Sequence, residues 1–313
     1  MRRLYYLPRT ITGIFDAMDE KTTKHGVYFA LCAYGCWGFV PVYFKLVEEV
    51  SAWEILSHRI VWSVLLLLAI LAVKGELKSL RIPGHQVPKV FLTAALLSTN
   101  WLIFIYAVVN DNIAETALGY FINPLISIFL AVVFLKERLR PLQWIAIGLA
   151  ATGIGVQLVW FGEVPYISLA LAFSFGLYGL FRKNLNLPAI AGLAIETLMI
   201  MPFALAYLAY AFQQNHMMFG QVIRLDLLLI LSGFVTSIPL LCFAAGVTRL
   251  SLTAMGMFQY LAPTISLLLA VFVYHEPFTS NLAVAFGFIW LALAIYTAEA
   301  WLFHRKQLRR APL

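Results

Sequence analysis

Few side chains in the apolar stretches of this sequence can do chemistry, so each that can is informative. Arg59 directly follows His58, and Glu54 stands about one helical turn earlier near the outer boundary of the same run. A guanidinium at that depth can meet an anionic group such as a solute carboxylate. His58 and Glu196, the latter deep in another apolar run, are the candidates for exchanging a proton. The competing reading has Arg59 reaching the interface along its aliphatic stem and Glu196 accepting hydrogen bonds from neighbouring helices. Both residues lie roughly 10 Å deep, counted at about 1.5 Å per residue from opposite faces, so no direct ion pair between them is required.

Uncharged polar and aromatic groups form a second set. Asn100 and Trp101 fall mid-run, where an amide must find a partner in the protein or in a solute. Tyr120 and Asn123 flank Phe121 just before Pro124, and Gln259 and Tyr260 stand in corresponding places before Pro263. A proline frees a carbonyl one turn earlier, so these two slightly broken segments are expected to line a cavity. Trp37, Trp101, Tyr120, Tyr178 and Tyr260 lie deep beside glycine or polar residues, where they either stack on a planar solute or simply pack helices. Glu137 and Glu276 close their segments at the membrane edge and read as structural, with Glu137 able to pair with a basic loop residue.

The elements that position these groups follow from composition. Hydrophobic residues make up 62% of the 313 residues and charged residues 12%. The chain divides into ten apolar stretches of about 18–25 residues, each long enough to cross a ~30 Å hydrocarbon core. In lipid every backbone amide must be satisfied within its own segment, so each stretch is read as a helix. The expected spans are 26–47, 53–73, 88–109, 114–135, 142–160, 166–183, 189–211, 226–247, 252–274 and 281–302. The tails are 1–25, in which Met18 reads as an alternative start, and 303–313. Gly148, Gly153 and Gly155 suit close helix approach in the fifth span.

Charge sets the orientation. With both ends in the cytoplasm, nineteen of the 22 Lys and Arg residues fall inside: the tails, including Arg2 and Arg3, and the loops after helices 2, 4, 6 and 8. Arg182 and Lys183 are counted with the loop after helix 6. Only Lys45 and Arg224 fall outside and Arg59 within a span, a strong positive-inside bias. The net charge of +7 is thereby explained by cytoplasmic loops facing anionic lipid, without nucleic acid.

The chain also repeats itself. The segment from Pro124 to Glu137 aligns without gaps to that from Pro263 to Glu276, with the Pro and Glu ends matched and Ile, Ser, Leu, Ala and Val shared between them. Tyr34-Gly35-Cys36-Trp37-Gly38 is echoed by Phe175-Gly176-Leu177-Tyr178-Gly179. Each half holds five spans. Five is odd, so the second half enters from the opposite side, an inverted repeat of the kind found in alternating-access carriers.

These features carry a resemblance. The two five-helix halves, the Pro-to-Glu segments and the Trp-Gly of the first span resemble the EamA repeats of the drug/metabolite transporter superfamily, over residues 19–302. Glu54-Ile-Leu-Ser-His-Arg59, Leu118-Gly-Tyr-Phe-Ile-Asn-Pro124, Leu171-Ala-Phe-Ser-Phe175 and Ile238-Pro-Leu-Leu-Cys-Phe243 resemble the RarD subfamily, whose members are often labelled chloramphenicol permeases. The resemblance implies an all-α protein of ten transmembrane helices in two EamA repeats, 26–160 and 166–302, acting as a permease in a bacterial inner membrane. The expected partners are a small-molecule solute and the bilayer, with the chain a monomer or homodimer.

Other classes fare worse. No soluble domain fits between the spans, and no phosphate-cradling GxxxxGK[ST] motif occurs, so ATP hydrolysis is not expected. An intramembrane lipid-modifying enzyme would cluster its acids and histidines, whereas Asp111, Glu115, Glu163 and Asp226 are scattered over separate loops. A non-transporting receptor leaves the paired polar segments without a role. Cys32, Cys36 and Cys242 have no metal-ligand spacing, and neither metal nor cofactor is expected.

Overall fold

The computed structural model describes residues 9–109, 113–162, 164–185, 187–275 and 278–310, with side chains for 22–104, 106–107, 115–162, 164–185, 187–275 and 278–303. Glu276, Asp111, Glu163, Arg2 and Arg3 lie outside the described residues. The elements are α1 (Arg9–Leu46), α2 (Ala52–Val73), α3 (Val87–Val109), α4 (Ile113–Phe134), α5 (Pro141–Phe161), α6 (Tyr166–Asn184), α7 (Ala189–Gln213), α8 (Ile223–Val247), α9 (Leu252–Gln259), α10 (Leu261–Phe272) and α11 (Ser280–Arg310). Two single 3-10 turns, Leu77–Leu80 and Gly84–Gln86, bridge α2 and α3. No strand occurs among the described residues.

Nine of the described helical stretches are long and apolar enough to cross a membrane, with Leu252–Phe272 taken as one. The expected sixth span, α6, is not among them. Its last turn carries Arg182 and Lys183 within only 19 residues, which lowers its apolar character. The outer helices also differ from their expected ends. α1 begins at Arg9 rather than near 26, and α11 runs to Arg310 rather than 302. Once nucleated, a helix propagates readily through Thr, Lys, Glu and Arg, so polarity marks the membrane boundary but not the helix end.

The ninth span breaks at Tyr260. Pro263 offers no amide to the carbonyl of Gln259 and crowds it. The turn is closed instead by Tyr260 N donating to the carbonyl of Met257 (3.3 Å) and by the Thr264 hydroxyl donating to the carbonyl of Tyr260 (2.7 Å). α4 runs unbroken through Pro124, so the same proline has different outcomes in the two segments.

Helix ends recur in pairs. Gly75 follows α2 and Asn215 follows α7, each with positive φ (67° and 54°), and each is followed by an amide that reaches back to Leu71 or Ala211. This is the left-handed stop that satisfies the last carbonyls of a helix. Lys136 after α4 and His275 after α10 take the same conformation, at φ 54° and 56°.

The helices pack in a regular pattern. α2 lies on α7, α4 on α9, and α5 on α11. α1 packs on α8 and α10, while α6 packs on α3 and α4. A central core contains Tyr34, Leu67, Trp101, Tyr178, Phe243 and Met255. Gly233 lets α8 approach α2 closely, since a Cβ there would sit 2.6 Å from the backbone carbon of Trp62. Of the three glycines expected at contacts in the fifth span, Gly153 abuts the carbonyl of Ala285, whereas a Cβ on Gly148 or Gly155 would meet nothing.

Candidate functional site

Arg59 sits on the eighth residue of α2 with its side chain directed into the bundle. Its Nε donates to Thr236 Oγ1 on α8 at 2.8 Å. The guanidinium carbon lies 5.7 Å from the centre of the Phe44 ring and 5.6 Å from that of Trp101, so aromatic faces on α1 and α3 flank the charge. The Tyr43 and Tyr120 hydroxyls are within its electrostatic reach. Arg59 forms no ion pair with a described carboxylate. It is half-buried, and Tyr120 on α4 is 54% exposed.

Glu196 lies in a closed pocket instead. It is fully buried on α7 and accepts hydrogen bonds from Thr93 Oγ1 on α3 (2.7 Å) and from the Tyr178 hydroxyl on α6 (3.3 Å). Its charged neighbour is Arg182, whose Nε stands 4.0 Å away. The sequence reading counted Arg182 with a cytoplasmic loop; the side chain is in fact completely buried. The cause is local. Arg182 occupies the last turn of α6, and Gly192, one turn before Glu196 on α7, leaves the space its guanidinium fills. A membrane glutamate with a glycine one turn earlier, next to a helix ending in Arg, is the sequence signal for this pair.

Trp37 and Tyr178 stack on protein rings. Trp37 packs against Tyr34, Phe175 and Phe243 at 5.4–5.9 Å, and Tyr178 stacks on Phe243 at 5.9 Å. This aromatic layer joins α1, α6 and α8. Asn100 is half-buried and bonds across to α6, donating to the carbonyl of Leu171 and the hydroxyl of Ser174, both at 3.0 Å. Gln259 pairs with Ser127 on α4, and Tyr260 is fully buried with its hydroxyl unpartnered. Asn123 is buried with its side-chain oxygen unpartnered.

His58 and Glu54 face the loop between α7 and α8. The His58 ring lies 4.6 Å from that of Phe219, and its Nδ1 accepts from the Trp62 indole (3.2 Å). The buried Glu54 carboxylate accepts from the backbone amides of Met218 (3.0 Å) and Phe219 (2.9 Å). Glu137 accepts from the amides of Leu252 (2.7 Å) and Thr253 (3.0 Å), so it caps α9, and among the described residues no ion pair joins it to a basic loop residue. Glu115 likewise caps α6 through the amide of Ile167 (2.9 Å). No group of three metal-ligating side chains occurs among the described residues.

A bundle of long apolar helices with a few ionisable groups turned inward is a multi-pass membrane protein of the transporter kind. The chain belongs to the EamA-like transporter family, whose model matches it twice, over residues 24–159 and 165–298. It is 45% identical to a Vibrio cholerae protein named "Uncharacterized transporter", over 91% of this chain and 96% of the relative. It is 46% identical to the Escherichia coli "Protein RarD", over 90% and 97%. A more distant relative, the Pseudomonas aeruginosa "Chloramphenicol-sensitive protein RarD", is 29% identical over 93% and 99%. A solved crystal structure of a protein 19% identical to the chain shares its fold, with a TM-score of 0.72 over 89% of this chain and 99% of that one.

Proposed function

We propose that the chain is a secondary carrier that moves small organic solutes across a bacterial inner membrane by alternating access of two inverted five-helix halves. The first half is α1 to α5; the second is α6 to α11, with α9 and α10 forming one span. The paired helix stops and the reciprocal packing of α1 with α8 and α6 with α3 support the duplication. Arg59 receives the anionic group of the solute, with Phe44, Trp101 and Tyr120 against its apolar part. The direction is export of drug-like or amino-acid-like metabolites, with proton coupling through Glu196.

One observation carries this reading. Tyr120 and Gln259 each stand four residues before the proline of their repeat, yet Tyr120 is 54% exposed and Gln259 only 6%. This difference between two segments of similar sequence supports a carrier with two conformations, in the second of which the other half opens.

The test is side-specific labelling. Tyr120→Cys and Gln259→Cys, each made with Cys32, Cys36 and Cys242 replaced by Ser, are treated with an impermeant maleimide in right-side-out and inside-out vesicles. Tyr120→Cys is labelled from outside and Gln259→Cys from inside; labelling of both from one side ends the alternating-access reading. Flux of chloramphenicol and amino acids into proteoliposomes then identifies solutes. In Glu196→Gln a pH gradient no longer drives uptake; unchanged drive removes Glu196 as the proton carrier.

A further inference from the structure

The established family membership says nothing of Arg182. Its side chain is completely buried, and two of its three nitrogens, Nε and Nη1, have no hydrogen-bond partner. Nη2 makes only long contacts with the carbonyls of Pro188 (3.3 Å) and Ala189 (3.4 Å). Glu196 faces Nε at 4.0 Å, beyond hydrogen-bond length, and takes its own short bond from Thr93. A guanidinium cannot neutralise itself by losing a proton. Buried donors without acceptors are costly, so this arrangement is a poor resting place for a purely structural arginine.

The surroundings suit an anion. The Tyr178 hydroxyl lies beside both Arg182 and Glu196, and Phe243 stacks on its ring. Gly192 lets the guanidinium lie directly against α7. An arginine fork with unused donors, a hydroxyl and an aromatic face are the parts that bind a carboxylate on an apolar body. Arg59 on α2 has the same parts around it: a threonine, tyrosine hydroxyls and aromatic rings.

We propose that Arg182 is a second carboxylate-binding group, which takes the anionic end of the solute when the half around α6 and α7 opens. Glu196 is the internal anion that stands in for the solute carboxylate while that half is shut. This rests on the carrier reading and specifies it: the solutes are organic anions or zwitterions bearing a carboxylate, passed between Arg59 and Arg182. As the half opens, the solute's carboxylate satisfies Nε and Nη1, and Glu196 is left to water.

The test uses sodium acetate as the probe, against sodium chloride at equal ionic strength. Glu196→Ala removes the internal anion and leaves its space. Acetate raises the melting temperature of purified Glu196→Ala in a saturating manner and beyond its effect on the wild type. The excess disappears in the Arg182→Gln/Glu196→Ala double variant. No excess in the single variant, or an excess that survives Arg182→Gln, overturns the proposal.

Should Glu196→Ala fail to fold, the wild type gives the answer. Phenylglyoxal in inside-out vesicles modifies Arg182, read by peptide mass spectrometry, and acetate slows that modification. Absent modification, or a rate indifferent to acetate, overturns the proposal. A flat acetate response with intact side-specific labelling at Tyr120→Cys and Gln259→Cys removes Arg182 alone. Loss of the labelling pattern removes the carrier reading.

Discussion

Arg59 and Glu196 stand at the same register of their helices, each the eighth residue, counted from Ala52 in α2 and from Ala189 in α7. Each is tied to a threonine on a helix of the other half: Arg59 to Thr236 on α8, Glu196 to Thr93 on α3. The same register therefore carries opposite charge in the two stretches that the family model matches. The positive one is half-buried and the negative one is fully buried.

Replacing Arg59 by Gln keeps a polar hydrogen-bonding side chain, though a shorter one, and removes its charge. Hydrogen bonds to a charged group are worth about 1.5–3 kcal/mol, so solute flux in proteoliposomes falls by roughly ten- to a hundredfold. Arg59→Lys retains the charge without the planar fork and gives an intermediate rate. Equal flux in wild type and Arg59→Gln would place the anion elsewhere.

Glu137 holds two amides at the start of α9. Loss of a capping carboxylate costs roughly 1–2 kcal/mol, so Glu137→Ala lowers the melting temperature of the purified protein. Glu137→Gln, which keeps an accepting oxygen, falls between. An unchanged melting temperature in Glu137→Ala counts against the cap.

Gly233 and Gly148 provide a matched pair. A methyl on Gly233 meets the Trp62 backbone, whereas one on Gly148 meets nothing. Overpacking costs about 1–3 kcal/mol, so Gly233→Ala melts at a lower temperature and Gly148→Ala at or above the wild-type value. The reverse order would mean that α2 and α8 are further apart.

Cys32 on α1 and Cys242 on α8 bring their sulfurs to 3.3 Å across the boundary between the proposed halves. A disulfide needs about 2.05 Å, a small adjustment. Oxidation by copper-phenanthroline takes the two thiol protons and two electrons, forms the bond and stops flux. Reductant restores it, and Cys32→Ser is immune. Continued flux after confirmed crosslinking shows that α1 and α8 travel together.

Much of this architecture can be read from the chain. Lipid forces each apolar run to satisfy its own amides, so nine of the expected spans coincide closely with the membrane-length apolar helices among the described residues, while α6 falls short and α1 and α11 run past their expected ends. What could not be read depends on direction and depth. Arg182 beside Lys183 looks like a cytoplasmic flank, because position along the chain does not say that a side chain folds back toward α7. Thr93 and Thr236 carry no signal in the sequence, since a threonine in a span is ordinary unless a charge lies opposite it. Asn100 was equally compatible with a cavity or an interhelical bond, and its amide is bonded across to α6. The break at Tyr260 but not before Pro124 is a difference of tertiary setting between similar sequences.

Glu54, Glu115 and Glu137 all rest on main-chain amides that belong to the second half. A peptide N–H is supplied by every residue type except proline, so no exchange at the donor position other than to proline can delete the contact. Among relatives, a change at one of these three glutamates should therefore bring no correlated change at 167, 218 or 252, and co-variation methods will miss these three contacts.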